Sequence, residues 1–272
     1  MNSTTLLQDK ARFIRDEVIA VAVSNGAGHI ASSLSCIEIL TALYYKVMCY
    51  DFSNPTWDDR DRMILSKSHG CYGLYALMAD NGLIPKVLWN KFHSDDCDLT
   101  GCSERRIEYG IEAGCGSLGH GLPMAVGVAF GAMLQKKNYH TYCVMGDGET
   151  QEGTTWEAIQ FAVKHQLSNL TIIIDYNNLQ AMDFTVNVLD RDENDIKRRL
   201  EGFGLSLHEC NGHDPEEIAN LLLDLKDRKN GGPIAIIART VKGYGLRCME
   251  NVAKFHFRVP NKEELLEGRT DG

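Results

Sequence analysis

Three short apolar runs constrain the fold of this chain more than any other feature. They are TYCVM at 141–145, LTIIID at 170–175 and IAIIAR at 234–239. Each is rich in β-branched residues and apolar at consecutive positions, the pattern of a strand covered on both faces. Between the first two lies a helical pattern, TTWEAIQFAVKHQ, and an amphipathic stretch near 215–228 precedes the third. Strands alternating with helices predict an α/β fold, an open, mostly parallel sheet with helices on both faces. The length of 272 residues fits one such domain, taken here as 1–272. Upstream, 9–24 has helical spacing with Phe13, Ile14, Val18 and Val21 on one side, and 34–47 reads as a largely buried helix. NGAGHIASS between them and SKSHGCYG at 66–73 read as Gly-rich loops, the second leading into LYALMADNG, a helix ended by Gly82. Residues 93–114 form a long polar, irregular stretch, of the kind that carries function or moves. The tail from about 259 to 272 is polar and expected to be loosely held.

Charge and cysteine content exclude several classes. The 28 Lys and Arg face 37 Asp and Glu, and no basic stripe offsets a net charge of −9, so nucleic acid is a poor partner. No apolar run approaches the roughly 18 residues needed to span a bilayer, and the first residues lack a secretory pattern. The nine cysteines are scattered without a CxxC pair, which argues against a zinc site and for a reduced, cytoplasmic setting.

In open α/β sheets ligands bind at the carboxyl ends of strands. Two such ends are polar here: Gly146-Asp147-Gly148 after the first run, and Asp175-Tyr176-Asn177-Asn178 at the second. The glycines permit close backbone approach, and their amides precede a helix, an arrangement that suits a diphosphate. Asp147 offers a hard anionic oxygen and Asn177 a neutral one, fitting Mg²⁺, Ca²⁺ or Mn²⁺ with phosphate oxygens completing the shell. A lone GDG is a weak signal whose bland explanation is an Asp-Gly turn. The 28 residues separating GDG from the Asn pair make room for one helix and one strand, which strengthens the case.

GDG followed some thirty residues later by NN resembles the thiamine-diphosphate signature, and further segments resemble transketolase, specifically its N-terminal diphosphate-binding half. NGAGHIASSLS is similar to the family's SGHPGA-type loop, DRDRMILSKSHG to its DRDRFVLSxGH stretch, and CGSLGHGLPMAVGVAFG to its TGSLGQGL segment. GDGETQEGTTWEAI is similar to GDGExxEGxxWEA, and KGYGLRCMENVAKFHFRVPN to the KGxG…EN…H…PN stretch of split transketolases. The likeness runs from about residue 10 to 261, and the motifs are jointly specific.

The resemblance implies roles. Asp147, Asn177 and the Leu179 carbonyl would hold the metal, with Asn178 the alternative within the pair. His69, Gly146, Gly148, Glu149 and His256 would lie at the cofactor, while Gly116, Ser117 and Leu118 would line its rings. His29 and His256 would move protons at the substrate, and Glu152 and Glu157 would lie near a subunit interface. Thiamine chemistry uses the cofactor as carbanion and electron sink, while the protein positions groups and handles protons. Imidazoles in Gly-rich or polar surroundings suit that task, whereas His93, His140, His165, His208 and His213 lack such context and read as surface or structural. His120 stands where the family has Gln.

Two departures stand out. Where relatives carry a GHPE-type segment, this chain reads Gly101-Cys102-Ser103-Glu104, so a substrate-facing His is replaced by Cys102. The alternative is a shift of alignment in an irregular loop. Arg105 and Arg106 just beyond offer bidentate contacts to a phosphate or sulfonate; the bland alternative is a solvated charge pair. Met182 stands where many relatives have Asp, with Asp183 next to it. The family's ring-protonating glutamate lies in a pyrimidine-binding domain that does not fit after residue 272. The resemblance thus implies a C-terminal partner subunit, an α₂β₂ assembly with a homodimer core, and cofactors at chain interfaces. The activity implied is transfer of a two-carbon ketol unit from a ketose, expected to be phosphorylated, to an aldose, in a specialised sugar pathway. The rivals are another thiamine enzyme subunit, deoxyxylulose-phosphate synthase-like or 2-oxoacid dehydrogenase-like, and a non-catalytic, metal-dependent phosphate-ligand binding module.

Overall fold

A computed structural model describes residues 4–26, 28–226 and 231–268. Its centre is a five-stranded, all-parallel sheet in the order β1-β2-β3-β5-β4. The strands are β1 (Arg62–Leu65), β2 (Thr141–Gly146), β3 (Leu170–Tyr176), β4 (Ser206–Asn211) and β5 (Ile234–Arg239). The three apolar runs became β2, β3 and β5, the central strands. Alternate residues of β3 go to opposite sides: Ile173 joins one apolar cluster, Ile172 and Ile174 the other. Both destinations are dry, so the run is continuously apolar.

One face is covered by α1 (Thr4–Asn25), α2 (Ile30–Leu34), α3 (Ile37–Ala42), α4 (Cys71–Asp80) and α10 (Pro215–Lys226). The other is covered by α6 (Gly121–Leu134), α7 (Gly153–Lys164) and α9 (Asp195–Gly202). The short helices α5 (Lys86–Asn90), α8 (Thr185–Val188) and α11 (Lys262–Gly268) complete the chain. Among the described residues no helix is long and apolar enough to cross a membrane.

Several local expectations need correction. The Gly-rich loop before Ser35 is shorter than its sequence implies, because Ile30–Leu34 is helical and fully buried. The segment read as one helix over 34–47 is α3 followed by a π-type turn, Leu43–Val47. Of the stripe on α1, Ile14, Val18 and Val21 are buried, but Phe13 points outward. Within the polar tail, α11 is ordered helix and Leu265 packs on the core; residues 269–272 lie outside the described residues, as do 227–230.

Sheet register builds the site. Gly146 sits beside Asp175, and Tyr176 beside Arg239. The chain therefore leaves β2, β3 and β5 at one level, and Asp147, Asn177 and Thr240 emerge together. At the opposite end, His140 is buried, its backbone N–H donating to Asp61 (2.7 Å) and its Nε2 paired with Thr171 Oγ1 (2.8 Å). Burial, partly offset by Asp61, pushes this imidazole down to about 4. Its folded value thus lies below the unfolded one, and between the two the unfolded chain binds the proton first. The contribution is complete above about pH 6.5 and is lost as pH falls, by about 2 kcal/mol at pH 5. Chemical denaturation between pH 7 and 5 will show stability falling with acid, and His140→Gln will flatten that slope by this share; an unchanged slope would assign the acid sensitivity elsewhere.

Candidate functional site

At the carboxyl ends of β1, β2, β3 and β5 lies a cavity of about 340 Å³. Its wall includes His29, His69 and His256, the Gly146–Glu149 turn, Asn177 and Leu179, Gly116 and Leu118, Cys102, and two lysines, Lys67 and Lys242. The sequence therefore brought together most of its candidates. Ser117 is exposed and outside the lining. Arg105 and Arg106 also lie outside it; Arg106 reaches the Asp98 carbonyl (3.3 Å) and the Tyr109 ring. His120 is exposed, its Nδ1 at 3.0 Å from the Leu118 carbonyl. Glu157 lies instead along an outer groove between α6 and α7, with Phe130 and Phe161.

The floor is a buried ion pair that sequence reading missed. Lys67, just after β1, contacts Asp175 of β3, and both side chains are essentially inaccessible. Ser35 and Thr240 hydroxyls also donate to Asp175. Burial opposes both charges, but mutual attraction outweighs it: Lys67 is held above its ordinary value and Asp175 below. Such a pair is costly to break from one side, because the survivor is left charged and dry. Lys67→Met will cost about 3–5 kcal/mol in denaturant unfolding, and adding Asp175→Leu will restore much of it. A single variant of wild-type stability would show that the pair is not under strain of desolvation.

Asp147 caps the turn after β2. One carboxylate oxygen accepts from the Gly148 N–H (2.7 Å) and the other from the Asn178 N–H. Burial, then the nearby Asp175, raises its carboxyl to about 6. Among the described residues no cation pairs with it directly, so a buried carboxylate faces the cavity still short of positive charge. Asn177 lines the same wall, its Oδ1 accepting the Leu179 N–H (3.1 Å). Asn178 adopts φ +61°, and its Oδ1 is buried without a protein partner. Glu149 is a brace: Oε1 accepts from Ser66 and from the Gly119 N–H (2.8 Å), and Oε2 from the Gly146 N–H (3.3 Å). It ties the Gly116–Gly119 loop to β2, and burial raises its carboxyl.

The roof is an imidazole triangle. Ring centroids lie 5.4 Å apart for His29–His69, 5.1 Å for His29–His256 and 5.7 Å for His69–His256. Burial, followed by a neighbouring lysine, lowers all three, His256 to about 4. They are neutral at pH 7 and can accept as well as donate protons. His29 Nδ1, Ser32 Oγ and Gln180 Nε2, all on the wall, are buried without a protein partner. Unsatisfied polar atoms converging on one cavity await a polar ligand.

Lys242, also unforeseen, is buried, and its Nζ donates to the Leu179 carbonyl (2.7 Å), the Gln180 carbonyl (3.2 Å) and His256 Nδ1 (3.0 Å). Burial, then Lys67, lowers it to about 8. The loop carrying His29 depends on Gly28, at φ +122°: a Cβ there would lie 1.6 Å from the Tyr72 hydroxyl, which accepts the His29 N–H (3.1 Å). Tyr72 is also hydrogen-bonded to His93. Neither partner is visible from the local sequence of that loop.

Comparison with known proteins decides what this geometry belongs to. The family model described as transketolase, thiamine diphosphate binding domain, matches residues 7–270. The chain belongs to the transketolase family. It is 37% identical over 260 residues to an apulose-4-phosphate transketolase subunit of Actinobacillus succinogenes, covering 95% of this chain and 93% of that one. It is 35% identical over 250 residues to the 6-deoxy-6-sulfo-D-fructose transketolase subunit SqwG of Clostridium sp., covering 92% and 90%. The solved transketolase of Campylobacter jejuni superposes with a TM-score of 0.83 at 30% identity, over 97% of this chain and 42% of that one. The chain thus spans about two fifths of the solved transketolases it matches. Family membership establishes the α/β thiamine-diphosphate-binding fold, a role as part of a transketolase-type transferase, and thiamine diphosphate with a divalent metal as its cofactor.

Proposed function

We propose that residues 1–272 act as one diphosphate- and metal-binding unit that transfers a two-carbon ketol unit, from a ketose bearing a remote anionic group to an aldose, in a specialised sugar pathway. The observation that carries this reading is the meeting of three neutral imidazoles with Asp147, Asn177 and the Leu179 carbonyl around one cavity. The anionic group is a phosphate or sulfonate by analogy with the two relatives above, whose names specify apulose-4-phosphate and 6-deoxy-6-sulfo-D-fructose.

The residues fit the cofactor. Asp147, Asn177 and the Leu179 carbonyl form a hard oxygen set of the kind Mg²⁺ prefers. His69, Gly148 and Lys242 on the same wall suit a diphosphate, with Gly146 and Glu149 shaping the turn. Gly116 and Leu118 supply the apolar side, with Ser117 at its edge. When bound, thiamine diphosphate supplies an electron sink for carbon–carbon bond chemistry. The chain supplies proton handling. Lys242 donates to His256 Nδ1, so neutral His256 presents Nε2–H to the cavity as a donor. His29, with Nδ1 unpaired, is the group to accept and return a proton at a substrate hydroxyl. Phe257 meets the His29 ring edge to face, with centroids 4.5 Å apart.

Cys102 occupies the cavity wall, supporting its reading as a true replacement of a substrate-facing His. Arg105 and Arg106, on the same loop beyond the wall, are the proposed contacts for the remote anion. The partner is proposed to be a C-terminal subunit carrying the pyrimidine-binding domain, in an α₂β₂ assembly with a homodimer core. The naming of the similar full-length relatives as subunits supports a partner. Exposed Met133, Leu134 and Phe161 beside the α6–α7 groove support an apolar interface.

Calorimetric titration of thiamine diphosphate with Mg²⁺ will show metal-dependent binding that tightens with the partner, and Asp147→Ala will weaken it by about 100-fold or more. Absence of binding under both conditions would sink these site assignments. Cys102→His will alter kcat/KM among ketose donors while leaving cofactor affinity within about threefold, less than 1 kcal/mol; a matching loss of cofactor affinity would place Cys102 in cofactor binding instead.

A further inference from the structure

His213 lies in the turn between β4 and α10, away from the cavity wall, in a sequence context that reads as structural. Its surroundings are specific. Nδ1 sits 3.1 Å from Glu38 Oε2, and Glu38 is fully buried and paired with Arg15 of α1. The Val241 N–H donates to Nε2 at 2.8 Å. The ring stacks on Tyr244, with centroids 3.6 Å apart and 14° between planes. A backbone N–H can only donate, so Nε2 is the acceptor and Nδ1 carries the proton given to Glu38. A carboxylate orients an imidazole, which in turn holds one amide.

That amide immediately precedes Lys242. The segment around it is pinned on both sides: Thr240 N–H donates to the Tyr176 carbonyl (3.0 Å), and Gly243 N–H to the Ala31 carbonyl (3.0 Å). Between these two backbone bonds, the Val241 N–H bond to His213 is supplied by a side chain. Lys242 then reaches the Leu179 carbonyl and His256 Nδ1.

We infer that His213 is a positioning residue for the cofactor site, acting through the Val241 amide to place the Lys242 ammonium between the Leu179 carbonyl and His256. The inference rests on the thiamine-diphosphate reading of the cavity. It predicts an ordered set of effects. His213→Leu removes the acceptor and leaves the Val241 N–H without its side-chain partner. His213→Gln restores both bonds, since its amide oxygen accepts and its NH₂ donates to Glu38.

Two measurements test it on the full chain. The first is hydrogen exchange without ligand: His213→Leu will speed exchange at Val241 and Gly243 while the amides of β2 and β3 keep their protection, and His213→Gln will restore it. The second is binding of thiamine diphosphate with Mg²⁺: His213→Leu will weaken it about 10–100-fold, as for residues that orient ligand-holding groups, and His213→Gln only a few-fold. In a Lys242→Met background, His213→Leu will add no further loss, because the two act in series. Unchanged exchange at Val241, wild-type binding by His213→Leu, or equal losses in both backgrounds would each overturn the inference. Failure of the wild-type chain to bind with its partner present would overturn the cofactor reading instead, while the exchange result still decides whether His213 holds the segment.

Discussion

The buried contact between Lys67 and Asp175 is the constraint on which the site depends. It joins the end of β1 to the end of β3, and the Ser35 and Thr240 hydroxyls bring in the α2–α3 junction and the segment after β5. Four distant stretches of chain thus share one charge pair at the bottom of the cavity. Burying charges this deeply is unfavourable unless every partner is present, so the contact stabilises one arrangement of these stretches over looser ones. Its electrostatic reach extends upward. On top of burial, the larger cause in each case, Asp175 further raises the Asp147 carboxyl, and Lys67 further depresses His69 and Lys242. The floor therefore prepares the layer above it: a carboxylate awaiting a cation and imidazoles kept neutral.

Neutrality of the three imidazoles follows first from burial and then from the neighbouring lysine charges. With Lys67 and Lys242 already buried, a protonated His69 or His256 would add like charge in a partly desolvated wall. Beneath the wall Lys67 is paired with Asp175, while Lys242 and Asp147 line the cavity with no direct ion pair between them among the described residues. On the proposed reading a divalent cation favours diphosphate binding, because the anion alone would face the desolvated Asp147 carboxylate. As proposed, the metal and the diphosphate would then belong to one binding event, with Asp147 as the residue that couples them.

How much of this was legible in the sequence depends on where burial is two-sided. β2, β3 and β5 were read because both their faces are dry. β1 and β4 were not, since they are the sheet edges: RMIL has only four residues, and SLHECN keeps most of its side chains partly in water. GDG named Asp147 from its place at a strand end, while the resemblance carried by NGAGHIASSLS and DRDRMILSKSHG named His29 and His69. Lys67, Lys242 and His213 were missed because each takes its meaning from residues far along the chain. Lysine in a polar loop reads as solvated, and only the sheet register brings Asp175 to Lys67. The requirement for Gly28 is likewise nonlocal, imposed by a tyrosine 44 residues away.

The position of Cys102 bears on which part of the chemistry has changed. It shares the wall with His29, His69 and His256. A chain losing its catalytic role would be expected to lose costly buried groups first: the Lys67–Asp175 pair, the desolvated Asp147 and the unpaired His29 Nδ1 all tax stability and are all present. A thiol there is a weak donor that cannot serve as the proton relay an imidazole would provide at neutral pH. On the proposed reading the change falls on the substrate side, not on the diphosphate and metal side, of the part of the site that this chain supplies. That pattern fits an enzyme whose donor or acceptor sugar differs at the atoms the missing imidazole would have touched.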